Sequence, residues 1–248
     1  MKFRTTLLSV CAFALVCAPA SAADRESVDR VVAATGVAHL ADGKATVEVL
    51  VAVRAGQSAR EQTRAALAGQ GAKPVADEYS FTGLFWDVLP VVQNYNPAGE
   101  PIPAAQLLWN THSPWSTVSG SRYGFSRGSI TNRCPSLVRE CPGKQVNDRL
   151  NDVGWAKLSG RNTLGVTWST SGLDEADMAI NTAFRWHAGC TNVANSFDLQ
   201  TVFLHENGHV AGLDHSTDRG AVMYPSYQSA RCSLGADDQA GIRALYPA

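Results

Sequence analysis

Three of the chain's six histidines, His205, His209 and His215, fall within eleven residues, and Glu206 stands beside the first of them. On a helix, residues four apart lie on one face, one turn above the other. His205 and His209 therefore present two imidazoles to one point, where a zinc ion about 2.0–2.1 Å from each nitrogen would fit. Gly212 follows three residues later. Glycine takes left-handed backbone angles readily, so it can end the helix and turn the chain back to bring His215 in as a third ligand. Three neutral imidazoles leave the ion its full double charge, with a fourth position open as in catalytic zinc sites. Water bound there has its pKa lowered toward ~7. The Glu206 side chain points about 100° around the helix from His205, near the metal yet free to hydrogen-bond that water, which is the placement of a general base. An HExxH run alone arises by chance in about 1% of chains this long, and the added Gly and third His lower that by roughly a further several hundredfold. A helix carrying incidental surface or core histidines is therefore the weaker reading.

Elements must exist to hold these groups. Asp198 can cap a helix running to about Ala211, with Leu199, Val202, Phe203 and Val210 recurring at helical spacing. A last helix is expected from Ala236 to Leu245, and strands at Ser119–Phe125, Thr163–Thr170 and Met178–Phe184. Upstream, residues 24–40 are weakly patterned, whereas Ala45–Val53 reads as a Val-rich buried strand. Ser58 and Glu61 form a capping box for a helix over Ala59–Ala68, stopped by Gly69 and Gly71, and Tyr79–Val88 is aromatic and β-prone. This upstream strand–helix–strand succession predicts a small α/β unit. The stretch Asn94–Pro103 holds three prolines and a glycine and reads as a linker. The expected organisation is a signal peptide over 1–22, an N-terminal α/β region over 23–107 that is a candidate propeptide, with its linker near 94–107, and a catalytic domain over 108–248.

Composition sets the class. About 45% of residues are apolar, enough for a globular core, and the formal net charge of −1 excludes a strongly basic surface for nucleic acid or membrane binding. Lys2 and Arg4, an apolar run from Leu7 to about Val16 and then Ala20-Ser21-Ala22 have the form of a cleavable secretory signal. The apolar run is shorter than the ~20 residues of a membrane span. The reading is a secreted, extracellular or periplasmic monomer, of net charge −3 once the signal is gone. Cys134, Cys141, Cys190 and Cys232 remain, an even number that suggests two disulfides. Of three pairings, Cys134–Cys141 with Cys190–Cys232 is favoured because the first two are close in sequence; metal binding by cysteines lacks a CxxC pair.

The run HENGHVAGLDHS, followed by Val222-Met223-Tyr224-Pro225, resembles the metzincin metallopeptidases, and in detail their matrixin branch, the matrix-metalloproteinase type. Ser216, Pro225-Ser226-Tyr227 and Leu234–Tyr246 are similar to that branch, and Glu175-Ala176-Asp177-Met178 with Asn181 looks like the strand bordering its cleft. The resemblance is close over about 164–246, weak over 109–163 and absent before that. It implies an α+β fold: a twisted mixed sheet, an active-site helix and a closing C-terminal helix, here preceded by the small α/β unit. It implies one catalytic zinc on His205, His209 and His215, Glu206 as general base, and Met223 as the apolar floor beneath the metal. Gly212 supplies the turn, Pro225 and Tyr227 belong to the substrate pocket, and Asp237 and Asp238 tie down the turn before the closing helix.

The sequence also departs from the family. Its cysteine switch, PRCGxPD, is not present; Cys134 in NRCPSL matches it only superficially. Asp87 could reach the zinc from an upstream segment, though a solvated loop acid is the stronger reading. A second, structural zinc lacks histidines, and His39, His112 and His187 receive no role. Asp174, Glu175 and Asp177 carry the oxygen donors of a calcium site, though such an acidic loop is more often only solvated. The function expected is a zinc-dependent endopeptidase hydrolysing peptide bonds of a protein or peptide substrate through a zinc-bound water activated by Glu206. The alternatives are a non-catalytic zinc-bearing binding protein, which would have no use for Glu206, and a zinc amidase of the same fold.

Overall fold

A computed structural model describes residues 28–40, 43–74, 85–135, 148–158, 162–170 and 174–248. The expected signal peptide, residues 1–22, lies outside them.

The chain opens with a long hairpin, β1 (Val28–Leu40) and β2 (Gly43–Arg54), paired antiparallel along its length. Helix α1 (Ala59–Gly69) follows, capped by Ser58, whose hydroxyl accepts from the Glu61 amide. A short β3 (Ala72–Pro74) returns beside β1. The strand expected over Tyr79–Val88 lies mostly outside the described residues, and the part that is described, from Phe85, is not strand. Next come β4 (Val91–Tyr95), α2 (Ala105–Ser116), β5 (Phe125–Ile130), β6 (Asn151–Ala156), β7 (Thr163–Thr170) and β8 (Ala176–Asn181). A two-stranded pair, β9 (Trp186–His187) and β10 (Phe197–Asp198), leads into α3 (Leu199–Val210), and α4 (Ala236–Leu245) closes the chain.

One eight-stranded sheet carries the fold, in the order β3-β1-β2-β7-β8-β6-β4-β5. Strands β8, β6, β4 and β5 run parallel to one another, while β7 is antiparallel to β8 on one edge and to β2 on the other. This is a mixed sheet with helices against it, the α+β class expected. The expected division at residue 107/108 does not separate two sheets. The stretch read as a linker begins inside β4, and the N-terminal hairpin extends the same sheet through β2.

Period-two alternation explains why β2 is buried on both faces. Ala45, Val47, Val49 and Val51 pack with Ala66 and Leu67 of α1 and with Val166 and Trp168 of β7. Leu50 and Ala52 join the main core with Phe203, Leu204 and Met223. Five of the six tryptophans, Trp86, Trp115, Trp155, Trp168 and Trp186, are buried, which fits core filling.

A chain of polar groups crosses this core. His112 on α2 meets the side-chain oxygen of Gln93 on β4 at 2.7 Å. The Gln93 amide donates to Asn207 Oδ1 at 2.9 Å, and the Asn207 amide donates to Thr111 Oγ1 at 2.7 Å. Buried polar groups are tolerated when each is paired, and here the pairs lock α3 against β4 and α2.

Candidate metal centre and active site

Asp198 starts the helix that carries the site. Its carboxylate accepts from the Thr201 amide at 2.8 Å and from the Thr201 hydroxyl at 2.7 Å, satisfying first-turn N–H groups that have no partner within the helix. The helix stops at Val210. Gly212, at φ 90°, takes the left-handed turn that the sequence required.

The three predicted histidines come together. The ligand nitrogens of His205, His209 and His215 all lie within 4.8 Å of one another. His205 Nδ1 is 2.8 Å from the Val222 carbonyl, and His209 Nδ1 is 2.9 Å from the Leu213 carbonyl. A carbonyl can only accept, so both Nδ1 atoms carry the proton and both Nε2 atoms present lone pairs. Those two Nε2 atoms stand 3.1 Å apart. Two facing lone pairs at that distance repel unless a cation lies between them. His215 Nε2 is buried with no hydrogen-bond partner among the described residues. Burial pushes His205 down to about 4 and His215 down to about 3, and lowers His209 well below the usual imidazole value, with the His205 ring adding to the effect at His215 and both other rings adding to it at His209. The imidazoles are therefore neutral, as metal ligands must be. This donor set fits a zinc ion, with imidazole nitrogens from two turns of a helix and one loop.

Glu206 is 1% exposed. Its Oε2 accepts from the Thr167 hydroxyl at 2.5 Å. Its other oxygen packs over Gly165, where a Cβ would lie 2.9 Å from Oε1. Burial raises its carboxyl to about 7, while the Thr167 bond pulls the other way. Thr167 and Gly165, both on β7, were not singled out from sequence. A Gly-x-Thr alternation on one face of the strand preceding the cleft acids was the available signal.

Met223 is 2% exposed beneath α3, and its carbonyl accepts from the Ser216 amide at 2.9 Å. Asp238, 2% exposed at the start of α4, accepts from three amides: Val222 at 2.7 Å, Met223 at 3.0 Å and Gly235 at 2.7 Å. Asp237 accepts from the Ser216 hydroxyl. The two acids thus clamp the methionine turn and the residue after His215. Because the same turn supplies the Val222 carbonyl, this clamp also orients His205.

A pocket beside the site is lined by Leu50, Val202, His205, Tyr224, Ser226 and Tyr227, among others. Tyr227 is one of the lining residues, and its hydroxyl also accepts from the Asp198 amide at 3.2 Å. Pro225, the other residue expected at a substrate pocket, is not among the lining residues; its carbonyl accepts from the Ala33 amide of β1 at 2.9 Å. Cys190 and Cys232 form a disulfide, the favoured pairing. Cys134 is also disulfide-bonded, and Cys141 lies outside the described residues.

Other candidates are not brought to this centre. Asp87 is exposed. His187 bonds Ser196 and the Thr191 carbonyl. Among the candidate calcium acids, Glu175 accepts from the Arg149 amide at 2.5 Å, Asp177 from the Asp152 amide at 2.8 Å and Asp174 from the Thr170 hydroxyl at 2.5 Å. These acids serve the ends of β6, β7 and β8.

The family model for matrixin matches residues 153–247. Metalloendoproteinase 1 of Glycine max is 48% identical over 56 residues, covering 22% of this chain and 18% of that protein. Matrix metalloproteinase-20 of Homo sapiens is 44% identical over 73 residues, 28% of this chain and 14% of the relative. Neutrophil collagenase of Homo sapiens is 46% identical over 59 residues, 23% and 13% respectively. The chain thus spans less than a fifth of the length of each of these relatives. The matched segment contains all three histidines, Glu206, Met223 and the clamp acids, on a sheet and helices arranged to converge them. Residues 153–247 of this chain therefore form a matrixin-type catalytic domain.

Proposed function

We propose that the chain is a secreted zinc-dependent endopeptidase acting on protein or peptide substrates, with His205, His209 and His215 as the zinc ligands and Glu206 as the general base. The observation that carries this reading is the convergence of three neutral imidazoles beside a buried carboxylate held by Thr167. Zinc held there supplies Lewis acidity, polarising a carbonyl and making water a nucleophile at neutral pH. Glu206 takes the proton from the attacking water and delivers it to the nitrogen of the departing amine. Its burial supports that role, since a carboxylate raised toward 7 both accepts and returns a proton near neutral pH. Thr167 fixes the carboxylate's orientation through its hydroxyl. Once β2 is displaced from it, the edge of β7 would offer main-chain groups to an extended peptide, and Tyr227 lines the pocket beside His205. The Cys190–Cys232 disulfide agrees with an oxidising compartment outside the cytosol, and no helix among the described residues is long and apolar enough to cross a membrane.

The test is a mass-spectrometric survey of bonds cut in denatured casein by the metal-loaded chain, both intact and after limited proteolysis. Cut peptide bonds are expected in at least one preparation. Glu206→Gln should lower turnover by at least about 100-fold while one zinc per chain is retained. A Glu206→Gln protein with full activity, or a chain that releases ammonia from side-chain amides and cuts no backbone bond, refutes the reading.

A further inference from the structure

The edge of β7 is already occupied. Strand β2 pairs with it antiparallel from Ala45 opposite Thr170 to Val51 opposite Thr163. Residues directly opposite on paired strands share a face. Glu48 stands opposite Thr167, the residue that holds Glu206, and Leu50 stands opposite Gly165, on which Glu206 packs. Glu48 and Leu50 therefore face the site. Leu50 borders the pocket beside His205 and Tyr227. From the other strand of the hairpin, the Ala33 amide donates to the Pro225 carbonyl. The hairpin thus bridges both walls of the cleft.

Glu48 is 4% exposed, in the middle of a Val-rich strand. A carboxylate is placed there at a large desolvation cost unless something cationic or hydrogen-bonding compensates it. One oxygen, Oε2, accepts from the Thr35 hydroxyl at 2.6 Å. Among the described residues the other, Oε1, has no hydrogen-bond partner, and neither has His215 Nε2. The two residues are neighbours, since a carboxylate oxygen of Glu48, one of Asp214 and a ring nitrogen of His215 lie within 4.8 Å of one another. Glu48 falls into a group with His215 and not into the one with His205 and His209; ligands about 2 Å from a tetrahedral zinc are themselves between 3 and 4 Å apart, so His215 is the ligand beside which the carboxylate would close on the ion. Asp214 is the weaker partner. It precedes His215 on the same turn, and its carboxylate lies 3.6 Å from Nδ1, on the other side of the ring from Nε2.

We propose that Glu48 is the fourth ligand of the metal held by His205, His209 and His215, and that the β1–β2 hairpin thereby keeps the cleft closed until it is displaced. This rests on the metallopeptidase reading and adds to it a ligand from outside the matched domain. It gives the chain a carboxylate in the position that the absent cysteine switch would have filled. Thr35 is the positioning residue, fixing the carboxylate from the neighbouring strand.

The experiment uses the full chain loaded with Co(II), whose visible absorption reports its ligands, with acetohydroxamic acid as the competing ligand. The intact chain should bind one Co(II) and respond weakly to hydroxamate. Glu48→Gln should show altered cobalt bands without hydroxamate and bind hydroxamate at least about tenfold more tightly, because the open state no longer competes with self-ligation. Glu48→Asp, which keeps the charge and shortens the arm, should behave likewise and covers the case in which Glu48→Gln does not fold. Release of metal to a chelator should also quicken in both variants. Equal spectra and equal hydroxamate affinity in intact chain and variants would overturn the assignment of Glu48 and leave the metallopeptidase reading standing. Failure of the intact chain to take up one Co(II) would overturn both.

Discussion

Gly208 lies so close to Met223 that a Cβ at position 208 would be 2.1 Å from the methionine sulfur and 3.0 Å from its methyl carbon. Trp115 closes the third side, with Cζ2 at 3.0 Å from the same point. The second variable residue of the HENGH run is thus fixed by the packing of the methionine turn against the helix that carries His205 and His209.

Gly208→Ala should consequently destabilise the chain, even though alanine is the better helix former by about 1 kcal/mol. Overpacking costs typically 1–3 kcal/mol, and a 2.1 Å contact between a methyl and a sulfur demands the upper end. A net loss of about 2 kcal/mol corresponds to a Tm lower by roughly 4–8 °C for a chain of this size. Calorimetry of the zinc-loaded protein measures it. In a double-mutant cycle with Met223→Ala, the two changes should be strongly non-additive, because the smaller side chain makes room for the new methyl. Simple additivity would show that Met223 is not what Gly208 accommodates.

The chemistry was more legible in the sequence than its support. The two histidines four apart, the left-handed Gly212 and the returning His215 needed only helix geometry, and the helix caps at Ser58 and Asp198 were visible because their side-chain oxygens act locally. The final helix likewise follows its sequence pattern over Ala236–Leu245. What escaped notice depends on partners distant in sequence. Strand β4 carries Gln93 and Asn94 at buried positions, and α2 contains Pro114 and starts without a side-chain cap. Their polar groups make sense only once Gln93 meets His112 and Asn207. The expected strand over Ser119–Phe125 is displaced; β5 begins only at Phe125, beyond the aromatic Tyr123. Strand β1 is rich in small residues, and its burial comes from β2, α1 and the cleft. Glu48 was hidden for the same reason, as a polar residue inside an apolar strand has no local signature of a ligand.

Asp238 holds three amides with one carboxylate, and an amide side chain cannot. Asp238→Asn replaces one acceptor oxygen with an NH₂ group that would face a backbone donor. At 2% exposure, no water is free to repair the loss. The cost should be about 3 kcal/mol, combining a lost charge-assisted bond with a donor left unsatisfied. Urea unfolding of the metal-free chain checks it without contribution from zinc. Zinc affinity should fall as well, because Val222 orients His205. An unchanged urea midpoint would show that the clamp is dispensable.

His112 makes stability depend on pH. Burial lowers its pKa to about 4, with Arg127 adding to the effect, and in the unfolded chain it returns to about 6.5. Below 6.5 the unfolded chain takes up a proton that the folded chain refuses, so the folded state loses stability as pH falls and the loss is complete near pH 4. At ~1.4 kcal/mol per pKa unit, it amounts to about 3 kcal/mol. His112→Gln keeps a donor for Gln93 and removes the titration. The variant should therefore lose less unfolding free energy than the parent between pH 7 and pH 4.5, by about 2 kcal/mol or more. Parallel curves for the two proteins would place the acid sensitivity elsewhere.

Thr167 presents the clearest separation of binding from chemistry. Its hydroxyl donates to Glu206 at 2.5 Å, and it touches neither of the two ring nitrogens shown to bond to carbonyls. Thr167→Val keeps the strand shape and removes the donor, leaving the carboxylate to choose its own orientation. A hydrogen bond to a charged group is worth about 1.5–3 kcal/mol, so kcat should fall by about tenfold or somewhat more. KM and zinc content should be unchanged, since the hydroxyl contributes to neither substrate docking nor metal ligation. Because β2 lies across this residue, the kinetics belong to the preparation treated by limited proteolysis. Thr167→Ser restores the hydroxyl and should recover most of kcat. A fall in KM-governed binding with kcat intact, or failure of Ser to rescue, would mean that Thr167 acts through the strand's packing instead of through its hydrogen bond to Glu206.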